Sequence, residues 1–96
     1  MKYQYRITHV NSAEHLIYIS SDSGWDCEEP DSFVYLLQKI VGDVGGKIKD
    51  IGDLQYAIQN DGLGLIYQWD RCFGISIIYP DGVAEETAIG FMKRYL

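Results

Sequence analysis

The sequence predicts an α+β fold: a two-layer sandwich in which an antiparallel sheet carries two helices packed on one face. Three observations predict it. Apolar and polar residues alternate in several short segments, two longer stretches repeat apolar residues with a helical period, and the connections between neighbouring short segments are tight. The predicted order of elements is ββαβββα. With 96 residues the chain is expected to form a single domain over residues 1–96, since a second domain would need roughly another 100 residues.

Two predicted strands open the chain. Apolar and polar residues alternate over residues 2–9, which is the period of a half-buried strand. Residues 11–12 supply a loop, and the apolar segment 15–20 is predicted to be a second strand that pairs with the first.

The first helix has the strongest pattern. Pro30 stops helical structure in the preceding residues from continuing into this helix, and either Asp31 or Ser32 can cap its first turn. The pair at residues 45–46, two glycines, ends it. Six apolar residues form its single stripe: Phe33, Leu36, Leu37, Ile40, Val41 and Val44.

Three further strands are predicted after this helix. Residues 53–60 fit either a strand or a short helix, and the Asp-Gly pair at residues 61–62 favours the strand because it is a common hairpin turn. Residues 63–69 and 72–79 are then two more strands, joined by a tight turn at residues 70–71. That turn contains neither Gly nor Asn, so the sequence leaves the register of this pair open.

The last predicted helix opens at residues 80–82, Pro-Asp-Gly. Glu85 and Glu86 lie in its first turns and Lys93 and Arg94 at its end, and both placements are favourable to the helix dipole. Its predicted buried stripe consists of Val83, Ala84, Thr87, Ala88, Phe91 and Tyr95.

Negative charge is concentrated in one part of the chain. The protein has 8 basic and 14 acidic side chains, for a net charge of −6, and residues 22–31 contain five acids and no base. We call residues 22–31 the acidic segment. Acidity disfavours direct binding to nucleic acid or to an anionic membrane, and favours a basic protein partner. The alternative is that the charge only keeps the protein in solution.

The sequence favours a cytoplasmic location without membrane association. No apolar run approaches the ~20 residues of a membrane-spanning helix, and the first residues lack the apolar core of a secretory signal. A reducing compartment would keep Cys27 and Cys72 as thiols. Cys72 is expected to lie in an apolar strand with its side chain in the protein core, and the carboxylates around Cys27 disfavour the thiolate form of Cys27.

From residue 30 onward the predicted order, α-β-β-β-α, is similar to that of the double-stranded-RNA-binding domain. In that family basic residues at the start of the last helix contact phosphates, whereas residues 81–86 here are acidic. The similarity covers about two-thirds of the chain but carries no motif, and the charge opposes RNA binding.

The acidic segment is the strongest candidate for a binding site. An indole surrounded by charge is a frequent hot spot in protein interfaces. Exposed aromatic residues on a strand are a second source of contact area. The alternative is that Trp25 folds back onto the core while the acids face water. The predicted partner-binding residues are Asp22, Trp25, Asp26, Glu28, Glu29 and Asp31, with Tyr67 and Trp69 as partly exposed strand residues.

No catalytic residue, metal site or cofactor is predicted. The two cysteines together with His9 and His15 lack zinc-finger spacing, lone histidines near a hairpin are usually surface residues, and no nucleophile motif is present. We therefore expect a non-enzymatic module that occludes a basic partner surface, as immunity proteins, antitoxins and phage-type inhibitors or nucleic-acid mimics do. A nuclease toxin or a nucleic-acid-binding enzyme is the kind of partner expected.

Two alternatives remain open at this point. One is a homo-oligomeric or accessory structural subunit that associates through sheet-edge and aromatic residues. The other is a small ligand-binding domain or hydrolase, which would need a deep apolar pocket with converging polar groups.

Overall fold

The structure is a computed structural model that describes residues 3–22 and 30–96. Its elements are β1 (Tyr5–Asn11), β2 (Leu16–Ser21), α1 (Asp31–Val44), β3 (Ile48–Gly52), β4 (Gln55–Ile58), β5 (Ile66–Asp70), β6 (Gly74–Ile78) and α2 (Glu85–Lys93). The six strands form one antiparallel sheet in the order β1-β2-β6-β5-β4-β3. The predicted α+β class, with an antiparallel sheet and two helices, is confirmed, and the sheet has one strand more than expected.

The additional strand is β3, at one edge of the sheet. All five of its residues are exposed, so the sequence carries none of the alternation that burial of one face imposes. The chain after residue 30 therefore reads α-β-β-β-β-α, which differs from the order of the double-stranded-RNA-binding domain.

One face of the sheet and both helices share a single core. Across the central strands, Tyr67 lies opposite Ile77, which lies opposite Ile17, and all three side chains are fully buried. On the helix side, the ring of Phe33 in α1 lies 5.7 Å from that of Tyr56 in β4. Buried residues of α2 belong to the same cluster. No helix in residues 3–22 and 30–96 is both long and apolar enough to cross a membrane.

The connection between β4 and β5 is organised by the buried carboxylate of Asp61. Its Oδ1 accepts hydrogen bonds from the backbone N–H groups of Leu63 (2.9 Å) and Gly64 (2.8 Å), and its Oδ2 accepts one from Leu65 (3.1 Å). The predicted strand within residues 53–60 and its antiparallel hairpin with the next strand are confirmed, but residues 59–65 form a longer loop rather than a tight turn at residues 61–62, and β5 begins at Ile66 rather than at residue 63. A short polar side chain that captures nearby backbone donors favours a looped connection over a ladder.

The connection between β5 and β6 is a three-residue loop. Asp70 pairs with Gly74, and the Oδ1 of Asp70 accepts hydrogen bonds from the N–H groups of Cys72 (2.6 Å) and Phe73 (3.2 Å). Gly74 has φ +74°, a conformation that glycine adopts without strain and that commonly closes such loops. The prediction that Cys72 lies in a strand with its side chain in the protein core is wrong, because Cys72 is exposed in this loop.

Helix α2 begins at Glu85, later than predicted. Ala88, Phe91 and Tyr95 are buried as expected, whereas Ala84 and Thr87 are exposed and Met92 takes a core position instead. The acidic first turn and the basic last turn are confirmed.

Replacing Gly46 with alanine is expected to lower the free energy of unfolding by about 2 kcal/mol. A Cβ at this position would collide with the backbone carbonyl of Gln59, so either the segment between α1 and β3 or the segment that follows β4 must shift. Gly42 is the matched control: it lies in α1 with open space around it, so alanine there should stabilise the protein by about 0.5–1 kcal/mol. Urea unfolding of both variants gives the comparison, and equal midpoints would contradict the close approach at Gly46.

Candidate protein-binding site

The predicted binding residues are distributed unevenly over the structure. Trp25, Asp26, Glu28 and Glu29 lie outside the described residues. Asp22 and Asp31, at the two ends of the acidic segment, are both exposed. The expectation that Tyr67 is partly exposed is wrong, because its side chain is fully buried and its hydroxyl donates to Asp61 (2.9 Å). Trp69 is half-buried, and it lines the groove described next.

An apolar groove opens at the C-terminal end of the acidic segment. Helix α1 forms one of its walls, and the strands β3 to β5 form the other. It is lined by Pro30, Phe33, Val34, Leu37, Ile48, Leu54, Tyr56 and Trp69. Its volume is about 270 Å³, just below the ~300–1,000 Å³ of small-molecule pockets, and among the described residues no charged side chain lines it. A space of this size and chemistry suits one or two apolar side chains of a partner better than a polar substrate.

Three exposed apolar side chains converge on this groove. Val34 is 44 % exposed, Ile48 41 % and Leu54 50 %. Among the described residues only two other large hydrophobic side chains are this exposed, Ile51 and Phe73. Isolated exposed apolar residues are ordinary, whereas a contiguous set around a concavity is characteristic of an interaction site.

Leu54 adopts a backbone conformation that its side chain disfavours. Asp53 and Leu54 both have positive φ, +50° and +61°, at the turn between β3 and β4. Such a turn matches the twist of a hairpin, but a bulky L-residue in this conformation costs roughly 1–2 kcal/mol. The carbonyl of Leu54 accepts a hydrogen bond from the N–H of Trp69 (3.2 Å), which holds the turn against β5. The sequence therefore has a strained, half-exposed leucine where asparagine or glycine would fold more easily.

Three carboxylates neighbour groove residues along the chain or across the sheet. Asp31 follows Pro30 along the chain, Asp53 precedes Leu54, and Asp50 lies opposite Tyr56 and so shares its face of the sheet. All three acids are exposed. Asp50 is the one that the register places on the groove's face of the sheet, and a carboxylate beside an apolar concavity is complementary to an apolar side chain flanked by lysine or arginine.

A second cavity lies on the opposite face of the sheet. It has a volume of about 440 Å³ and is lined by Thr8, His9, Asn11, Tyr18, Cys72 and Phe73. His9 stacks on Tyr18 with ring centroids 5.8 Å apart, and Phe73 is 68 % exposed. Polar groups make up much of this lining.

A polar cluster joins the β1–β2 hairpin to the start of α2. Glu85 Oε1 accepts hydrogen bonds from the hydroxyl groups of Ser12 and Tyr79, the second at 3.0 Å. His15 stacks on Tyr79 with centroids 4.8 Å apart, and its Nδ1 lies 3.2 Å from Asp81 Oδ1. The Ser12 hydroxyl is directed to a carboxylate rather than to an imidazole base, which is a structural arrangement and not that of an activated nucleophile.

The hydrogen bonds from Ser12 and Tyr79 lower the pKa of Glu85 below its ordinary value. A carboxyl whose pKa is lower in the folded state stabilises the fold above its unfolded pKa, and that stabilisation is lost as the pH falls through the folded value. Glu85→Gln is therefore expected to reduce the acid-induced loss of stability below about pH 4.5. Glu86→Gln, on the same exposed turn, is the control, and identical pH profiles for the two variants would contradict this role of Glu85.

Within residues 3–22 and 30–96, no group of three or more His, Cys, Asp or Glu side chains is arranged to hold a metal ion. Comparisons with protein-family models, with curated proteins and with solved structures found no match to this chain. The functional conclusion therefore depends on the site itself.

Proposed function

We propose that this protein is a non-enzymatic, cytoplasmic binding module that occludes a basic surface of a partner protein. The observation that supports it best is the convergence of Val34, Ile48 and Leu54 on one apolar groove, with the exposed Asp50 on the same face of the sheet. The groove begins at Pro30, in the acidic segment that the sequence singles out. A partner that presents an apolar side chain among lysines and arginines fits both features.

In this mechanism the two features have different roles. The charge of −5 over residues 22–31 accelerates encounter with a basic surface and selects against acidic partners. The groove then holds the complex by burying apolar area, which slows dissociation. The bound module blocks its partner by covering it, as an immunity protein, an antitoxin or a phage-type inhibitor does. Nucleases and other nucleic-acid-binding proteins carry basic surfaces of the required kind.

The proposal is tested with a displayed library of short random peptides, selected against the purified protein. We expect the enriched peptides to combine an apolar anchor with lysine or arginine, and their association rates to fall as ionic strength rises. Asp26→Lys and Glu28→Lys should each slow association. Glu86→Lys, which changes the net charge equally on an exposed part of α2, should not.

Val34→Thr supplies the matching test of the groove, because it keeps the shape of an exposed helix residue while making it polar. It should speed dissociation of the enriched peptides and leave association nearly unchanged. If no peptide is enriched, or if the charge and groove variants all bind as the parent does, the proposed function is wrong.

Self-association through a sheet edge is the second candidate. The edge strand β3, with five exposed residues, is the observation that favours it, whereas burial of Tyr67 removes one of the aromatic residues expected to contribute. Sedimentation at high protein concentration separates the two candidates. A stable dimer that also fails to bind the selected peptides would favour self-association.

A further inference from the structure

We propose that the partner binds as an extended segment that adds a strand to β3 while one of its side chains fills the groove. This inference rests on the proposed function and specifies the form of its partner. The groove wall reaches the sheet edge at Ile48, which is both a lining residue and the first residue of the edge strand. A strand paired with β3 would therefore run directly beside the groove.

The backbone of β3 presents hydrogen-bonding groups at this edge. The N–H of Gln59 donates to the carbonyl of Lys47 (3.0 Å), so Lys47 faces β4 in a hydrogen-bonded pair. In an antiparallel ladder such pairs alternate with pairs whose N–H and C=O groups point away. Ile48 lies opposite Ile58 and Asp50 opposite Tyr56, in the same register. The N–H and C=O groups of Ile48 and Asp50 therefore point outward, where an added strand would bind.

The same alternation places the side chains that an added strand would meet. Ile48 and Asp50 project on the groove face, because Ile48 lines the groove and Asp50 lies opposite the lining residue Tyr56. Lys49, opposite Ala57, projects on the other face. Directly opposed residues interact across a strand pair, so the segment should carry an apolar residue opposite Ile48 and a lysine or arginine opposite Asp50. Opposite Lys49 an acidic or neutral residue is favoured.

Only a short part of β3 can pair with an added strand, so binding also needs the groove. The pairing of β3 with β4 is irregular between Asp50 and Gly52, and Asp50 Oδ1 accepts a hydrogen bond from the N–H of Gly52 (2.8 Å). The N–H of Gly52 is therefore already bonded within β3, and strand addition is placed at residues 48–50, the part of β3 that borders the groove. Affinity then depends on few backbone hydrogen bonds together with one well-buried side chain.

A second copy of this chain does not meet these requirements. If β3 paired with itself, the register with Ile48 opposite Asp50 would place Lys49 opposite Lys49. The register with Ile48 opposite Ile48 would place Lys47 of each copy opposite Lys49 of the other. The register with Asp50 opposite Asp50 would place two carboxylates opposite each other. Like charges in direct opposition destabilise a strand pair, so the pattern of β3 favours a different chain as the occupant.

The test uses peptides enriched in the library selection, resynthesised with N-methyl groups on every second residue. Two sets are made, one methylated at the odd positions of the peptide and the other at the even positions. Each set removes the N–H donors along one edge of the peptide strand and keeps all side chains. Strand addition predicts that one set binds at least about tenfold more weakly than the unmodified peptide and the other binds as well. In the complex, hydrogen exchange of the Ile48 and Asp50 amides should become slower.

The outcomes separate this inference from the function on which it rests. If the unmodified peptides bind in a manner sensitive to Val34→Thr, but both N-methylated sets bind equally, the groove is a binding site and strand addition is wrong. If no peptide is enriched at all, the proposed function itself is wrong. Unchanged exchange at Ile48 and Asp50 in a saturated complex would also overturn strand addition.

Discussion

Replacing Asp61 with alanine is expected to lower the free energy of unfolding by about 3 kcal/mol, a large part of the ~5–15 kcal/mol of a domain this size. The carboxylate accepts hydrogen bonds from three backbone N–H groups and from the hydroxyl of Tyr67, and only 7 % of the residue is exposed. Alanine would leave the buried N–H of Leu65 and the buried hydroxyl of Tyr67 without an acceptor, which costs more than those hydrogen bonds contribute in net terms.

Tyr67→Phe is the matched variant, because it removes only the hydroxyl, which is one of the four donors to Asp61, and leaves the loop intact. It should cost about 1 kcal/mol. Burial, and then the neighbouring Asp61 carboxylate, raise the pKa of Tyr67 far above its ordinary value, so the hydroxyl remains a donor throughout the accessible pH range. Urea unfolding of both variants and of the double variant gives the coupling between them. Equal effects of Asp61→Ala and Tyr67→Phe would show that the backbone contacts of Asp61 are unimportant.

Replacing Leu54 with asparagine is expected to weaken peptide binding by about tenfold to a hundredfold while leaving the fold as stable or stabilising it by up to ~1 kcal/mol. The affinity falls because the groove loses an apolar wall that is half exposed in the free protein. Stability does not fall, because asparagine tolerates a positive φ better than leucine does. Opposite changes in binding and stability are the signature of a residue kept for recognition.

Phe73→Asn is the control for Leu54→Asn. It also removes a large exposed apolar side chain from a loop, but Phe73 belongs to the cavity on the opposite face of the sheet. Titration calorimetry with the enriched peptides and thermal unfolding measure the two quantities. If Phe73→Asn weakens binding and Leu54→Asn does not, the binding site lies on the other face.

The sequence predicts those elements whose burial imposes a period. Helix α1 has the predicted apolar stripe and ends at the predicted Gly45, but its N-cap is Pro30 rather than Asp31 or Ser32, which both lie inside the helix. Strand β3 was not predicted because all of its residues are exposed, and an edge strand without a buried face has no alternation to detect. The sequence predicts a tight turn at residues 61–62 where the structure has a longer loop around Asp61. The sequence cannot show that one carboxylate accepts hydrogen bonds from several groups in residues 63–67.

The candidate site was predicted only in part, for a similar reason. Charge is visible in the sequence, so the acidic segment stands out without a structure. The groove depends on three residues from separate elements, and each is inconspicuous alone. Val34 and Ile48 are ordinary apolar residues, and Leu54 is distinguished only by its positive φ. Val34 lies outside the predicted stripe of α1, which was the one available signal.

The central claim is that partner binding occurs at the groove beside the acidic segment, and methyl and amide chemical shifts test it most directly. The labelled protein is titrated with the strongest peptide from the selection, and the perturbed signals are mapped. We predict perturbations at the methyl groups of Val34, Ile48 and Leu54 and at the amide of Asp50, with Tyr18 and Phe73 unaffected. Perturbations centred on Tyr18 and Phe73, with the groove methyl groups unchanged, would contradict it.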